Sequence, residues 1–193
     1  VWILPAMNDF TFYLKLGWEH IISWDALDHI LFIVALSAIY LVNNWKQVLI
    51  LVTAFTIGHS LTLALSVYDL IRIKGSLVEF GIPLTIMATA IFNFYVKRFD
   101  PSSLRLNYFL ALFFGLIHGM GFANTIRFML SKDQQIAWPL LSFNIGLELG
   151  QIVLVTGILS LAYLLVNKAG LKRTWWVWLL SGIALILSTQ MAI

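Results

Sequence analysis

Cysteine is absent and charge is scarce: of 193 residues none is cysteine, four are proline and 11% are charged, against a usual charged share of about 25%. Without thiols, disulfides, thiolate metal sites and cysteine nucleophiles are excluded, leaving imidazole, carboxylate, hydroxyl and amide groups for any chemistry. So little charge leaves no room for a separate soluble domain between the apolar runs. The net charge of +3 is small. Its basic residues flank those runs and form no patch interleaved with aromatics, so no nucleic-acid surface is expected.

What is present is apolar: 61% of residues are hydrophobic and the mean hydropathy is +0.91. Stretches of roughly 20 apolar residues, each enough to cross a hydrocarbon core about 30 Å thick, recur along the chain. Lipid tolerates no unpaired backbone group, so these runs are read as helices. The expected fold is all-α, an integral membrane bundle forming one transmembrane domain over 1–193, with about six helices at 22–42, 46–67, 76–97, 106–129, 136–166 and 174–193. Ahead of them, "FTFYLKLGWEHI" mixes aromatic and charged residues and reads as a short interfacial segment. Connections such as "VNNWK", "RFDPSS" and "NKAGLKR" are short, so consecutive helices should run antiparallel. The chain opens on Val1, which suggests processing or a removed leader.

Alternating direction lets polar groups be compared by depth. Asp28 and His29 fall near the start of helix 1, His59 late in helix 2, Glu79 early in helix 3, His118 past the middle of helix 4 and Glu148 in the first half of helix 5. All lie in the half nearer the N-terminal face. An ionised side chain in hydrocarbon costs roughly 2.5–3.5 kcal/mol even on the lenient insertion scale, so such a layer calls for a use. On the N-terminal face stand Lys15, Arg72, Lys74, Arg127 and Lys132, against Lys46, Lys97, Arg98, Arg105, Lys168, Lys172 and Arg173 opposite. The positive-inside rule then turns the N-terminal face outward in a multi-pass protein of a bacterial-type inner membrane.

Four motifs carry the layer. In "DALDH", Asp25 and His29 are four apart and would share a helix face, with Asp28 beside them and His20 just upstream. "FTIGHSLTL" sets His59 between Gly58 and Ser60. "GLIHGMGFAN" sets His118 among Gly115, Gly119 and Gly121, and small residues of this kind let a neighbouring helix approach. "FNIGLELGQ" aligns Asn144, Glu148 and Gln151 on one face. A membrane carboxylate such as Glu148 must be paired, protonated or metal-bound. Histidine with carboxylate suits a borderline divalent metal, zinc or nickel, and the candidate ligands are His20, Asp28, His29, His59, His118 and Glu148, with Asn144, Gln151, Asp25 and Glu79 near enough to support them. A plainer reading sees Asp25 and Glu79 as first-turn carboxylates. Thr85, Thr89 and Asn93 form a further polar stripe toward the opposite face, either a hydrated path or ordinary interhelical hydrogen bonding.

Through "GWEHIISWDALDHILF", "FTIGHSLTL", "GLIHGMGFA" and "FNIGLELGQ", in that order over most of the chain, the sequence resembles the second subgroup of the HupE/UreJ family of small polytopic membrane proteins. The resemblance implies a nickel-related role, as a permease or an accessory to hydrogenase and urease maturation, and carries over His20, Asp28, His29, His59, His118 and Glu148. Three functions are weighed. The first is uptake of a divalent cation, nickel foremost. The second is an intramembrane zinc hydrolase, with His29, His59 and His118 as ligands, Glu148 or Asp28 as base and Ser60 or Asn144 stabilising an oxyanion. The third is a noncatalytic subunit of a membrane complex. The expected partners are the lipid bilayer and the divalent ion, with a homo-oligomer or a complex left open.

Overall fold

A computed structural model describes residues 9–96, 104–123, 125–126 and 137–193, and among these there is no strand. Among the described residues seven α-helices follow in order: α1 (Asp9–Ile22), α2 (Leu27–Ser37), α3 (Trp45–Val67), α4 (Gly75–Tyr95), α5 (Leu104–Gly121), α6 (Ala137–Ala162) and α7 (Arg173–Met191). Short 3-10 turns at Trp24–Ala26 and Val42–Asn44 precede α2 and α3, and a π turn over Tyr163–Lys168 prolongs α6. Four of the helical stretches are long and apolar enough to cross a membrane, or five if the bent pair α1 and α2 forms one span. The expected helices 2, 3, 5 and 6 correspond to α3, α4, α6 and α7 within a few residues.

The first expected helix differs most. Residues 22–42 do not form one helix: the chain bends by 61° between Phe10–Ile22 and Trp24–Ser37. Ser23 at the bend is extended, at φ −70° and ψ 155°. The segment "FTFYLKLGWEHI" is helical and packs along α6 at backbone distance. A Cβ on Gly17 would run into the carbonyl of Phe143, and one on Gly146 into that of Leu14. Ser142 Oγ donates to the carbonyl of Phe10. Contacts of Phe10 with Ser142, Leu14 with Gly146 and Ile21 with Gly150 progress in the same sense, so α1 and α6 run parallel.

The same device joins α3 to α5. A Cβ on Gly115 would meet the Phe55 carbonyl and one on Gly119 the His59 carbonyl, so these helices also run parallel at close range. Between the paired helices sits α2, which touches α4, α6 and α7. His29, Leu31, Phe32, Ile33, Ala35, Leu36 and Ser37 of its eleven residues are buried, as expected of a helix apolar on all sides. Its far end is tied down by Asn93, whose Nδ2 donates to the Ala35 carbonyl at 2.7 Å and to Ser181 Oγ at 3.0 Å, and by Arg173, which donates to the Ile39 carbonyl.

The expected fourth helix, 106–129, is seen as α5 ending at Gly121, and its apolar part, Asn107–Gly121, is shorter than a full span. The connection "RFDPSS", the chain start, Arg127 and Lys132, and Lys97 and Arg98 of the charge count lie outside the described residues, as does the Arg105 side chain.

Candidate metal centre

The bend at Ser23 turns the end of α1 back over the start of α2, and this brings His20 to His29. Their ring centroids are 4.6 Å apart. His59 arrives from α3, where Gly58 lets α5 close in, and its ring lies 5.7 Å from His29 and 5.9 Å from His20. His118 arrives from α5, 5.2 Å from His29 on the other side. Every histidine of the chain therefore meets at His29, from four helices. The nitrogens of His20, His29 and His59 offer a set of ligand atoms within 4.8 Å of one another, and Asp28, His29 and His118 offer a second. Two ligand atoms on one ion with bonds of about 2.0–2.1 Å can be at most about 4.2 Å apart, so either set must draw in by up to about 0.6 Å to hold one ion.

Hydrogen bonds orient the rings for this use. His29 Nδ1 lies 3.0 Å from Asp28 Oδ1, and a proton donated there leaves the Nε2 lone pair, buried and without a partner, free for a cation. Asp28 is itself held in the first turn of α2, accepting from the backbone N–H of its neighbour at 2.8 Å. Its charge suits a helix N-terminus. On the other side, Thr85 Oγ1 donates to the Ile82 carbonyl at 2.7 Å and lies 3.1 Å from His118 Nε2. With its own proton used, that hydroxyl accepts from Nε2–H and leaves Nδ1 of His118 buried and open. Neither nitrogen of His59 nor Nε2 of His20 has a partner.

Buried polar atoms are nearly always hydrogen-bonded, and several orphaned imidazole nitrogens in one place require an explanation. A divalent cation fits either set: it supplies a partner to three donors at once, and the donors are those zinc and nickel prefer. Aromatic rings close the surroundings. Phe55 and Phe32 lie 5.1 and 5.4 Å from His118, and Phe122 and Phe143 lie 4.1 and 5.5 Å from His20. Beside His20 a cavity of about 510 Å³ opens to the surface between Leu16, Glu19, Ser23, Asp25 and Ala26. Two carboxylates line its mouth, Glu19 paired with Lys15 at 3.5 Å, and the Asp25 charge attracts cations.

A family model described as "HupE / UreJ protein" matches residues 4–193. The chain belongs to the HupE/UreJ family. No curated protein and no solved structure matches it. For this HupE/UreJ protein, the clustered histidines accord with the association of the family with nickel and metal handling.

Not every expected residue joins the cluster. Glu148 faces α3 elsewhere, and its Oε1 accepts from Thr53 Oγ1 at 2.6 Å. Gln151 is fully buried beside it, accepting from Thr56 Oγ1 at 2.8 Å. Asn144 donates to its own helix at the Leu140 carbonyl. Ser60 Oγ donates to the Thr56 carbonyl at 2.6 Å. Asp25 does not share a helical face with His29, because the bend puts it in the exposed 3-10 turn, where it lines the mouth. Glu79 is exposed at a different cavity, with Arg72 and Ser66. Sequence pattern alone did not point to Glu19, Thr53, Tyr40, Asn107 or the phenylalanines. The one available signal was Asn107, an amide within the apolar run "LNYFLALFFG".

Proposed function

We propose that this HupE/UreJ protein binds a divalent cation, nickel foremost, at His20, Asp28, His29, His59 and His118, and carries it across a bacterial-type inner membrane. The observation that supports this most is the meeting of four histidines from four helices with unpartnered ring nitrogens in one buried place. The cation enters from the Glu19 and Asp25 mouth, which lies on the N-terminal face, taken as the outer one.

A hydrolase needs a base and an oxyanion donor beside the metal. Of the groups weighed for those roles, Asp28 stands with the histidines, but Ser60 and Asn144 are bonded along their own helices and Glu148 to Thr53, so less supports that reading.

The test is calorimetric titration of the purified full chain with nickel and with zinc, paired with radioactive nickel uptake into sealed proteoliposomes. His29→Ala and His59→Ala are expected to abolish both tight binding and uptake. Uptake persisting in His29→Ala would overturn the proposal, and firm metal retention with no uptake in the native chain would reassign the site to a structural role.

A further inference from the structure

Beyond the histidines, on the side away from the Glu19 and Asp25 mouth, a second cavity of about 170 Å³ lies between α2, α4 and α5. The three helices agree on its position. Along α2 the chain passes from the mouth at Ala26, past His29, to Leu36, Ile39 and Tyr40 on the cavity wall. Along α4 the wall residue Thr89 is one turn beyond Thr85, the partner of His118. On α5, Phe114 of the wall is one turn from His118 in the opposite sense. One turn is about 5.4 Å, so the cavity begins a single step from the imidazole.

Its lining is mostly apolar, and the few polar groups are neutral and hydrogen-bonded: Thr89 Oγ1 donates to the Thr85 carbonyl at 2.9 Å, Asn93 to Ala35 and Ser181, and Asn107 to Tyr40 at 3.1 Å. The space has the volume of several water molecules, each about 30 Å³ in the liquid. Neutral oxygen groups hold a borderline cation less firmly than imidazole, as a place of release requires. Two rings link the cluster to the cavity wall: Phe32 lies 5.4 Å from His118 and 6.0 Å from Phe114 of the wall. Apolar constrictions of this kind close a path by excluding water.

We propose that this cavity is the release compartment for the divalent cation, reached from His118 past a gate of Phe32 and Phe114, and open to the membrane face opposite the mouth. The inference rests on the proposed function and adds the route and its barrier. The cysteine-free chain is a ready background for the test.

Single variants Ser23→Cys in the mouth, and Ala111→Cys and Thr89→Cys in the cavity, are exposed in right-side-out and inverted vesicles to a charged, impermeant thiol reagent. A lipid-soluble maleimide is run in parallel. Ser23→Cys should react from one face, and Ala111→Cys and Thr89→Cys from the other. Phe114→Ala should speed nickel passage several-fold while leaving nickel affinity unchanged. Reaction of the cavity thiols with the lipid-soluble reagent alone would mark a lipid-filled crevice and overturn the proposal. So would reaction from the same face as Ser23→Cys, or with neither reagent when the thiols titrate after unfolding. An unaltered rate in Phe114→Ala would overturn the gate. Normal nickel uptake with a lipid-filled crevice sinks this inference alone, whereas absent nickel binding with opposite-face labelling sinks the proposed function and leaves a path for another solute.

Discussion

At the scale of the residue, the strongest physical signal is the pairing of Asp28 with His29. The carboxylate accepts from Nδ1–H and so sets the tautomer that leaves Nε2 buried and open. Partners that orient a ligating imidazole typically matter 10–100-fold in metal affinity. Asp28→Asn keeps the shape and an acceptor while removing the charge, so nickel affinity should fall by at least about tenfold with the helical circular dichroism unchanged. A calorimetric titration reads this directly, and native affinity in that variant would mean the carboxylate does not act on His29. The histidines and Asp28 were legible in the sequence because burial of such groups is costly and depth could be counted along antiparallel helices. Glu148 had the right depth as well. Depth does not give direction around the helix axis, and α6 turns Glu148 to Thr53 instead.

At the scale of the element, the glycines decide how near the histidines come. A Cβ on Gly115 would press on the Phe55 backbone and one on Gly119 on the His59 backbone. Neither backbone can yield as a side-chain tip can, so α3 and α5 must separate. Gly115→Ala should therefore cost about 1–3 kcal/mol of stability, the usual price of overpacking, and weaken nickel binding by widening the gap between His59 and His118. Gly157→Ala and Gly182→Ala add a Cβ where nothing lies within 4 Å, and are expected to be neutral or slightly stabilising, since alanine favours helix by about 1 kcal/mol over glycine. Thermal unfolding in detergent compares the three; equal behaviour would show that the close approach is not limiting. The glycine motifs were readable as contact faces, but not which helix each face meets. The bend between α1 and α2 was not readable, because "HIISWDALDH" contains neither proline nor glycine. Its trace is Asp25 itself, a charge that a continuous apolar helix would not hold.

At the scale of the whole molecule, hydropathy marked the spans but left open which one the others surround. The sequence "LDHILFIVALS" answers it in retrospect, being apolar on every side after Asp28 and His29, and α2 is indeed enclosed by α4, α6 and α7. A central helix bearing a cation ligand at one end needs an anchor at the other. Asn93 provides one, bonding α4 to Ala35 of α2 and to Ser181 of α7. Interhelical hydrogen bonds in membranes average about 0.6 kcal/mol each, so Asn93→Leu should lose about 1 kcal/mol and lower the unfolding midpoint in detergent. Asn93 lies two turns of α4 beyond Thr85, so nickel affinity should stay near native while uptake slows, if release requires α2 to hold its position beside the far cavity. Should affinity instead fall as far as in Asp28→Asn, the two ends of α2 are coupled, and the anchor sets the geometry of the His29 site as well as the stability of the bundle.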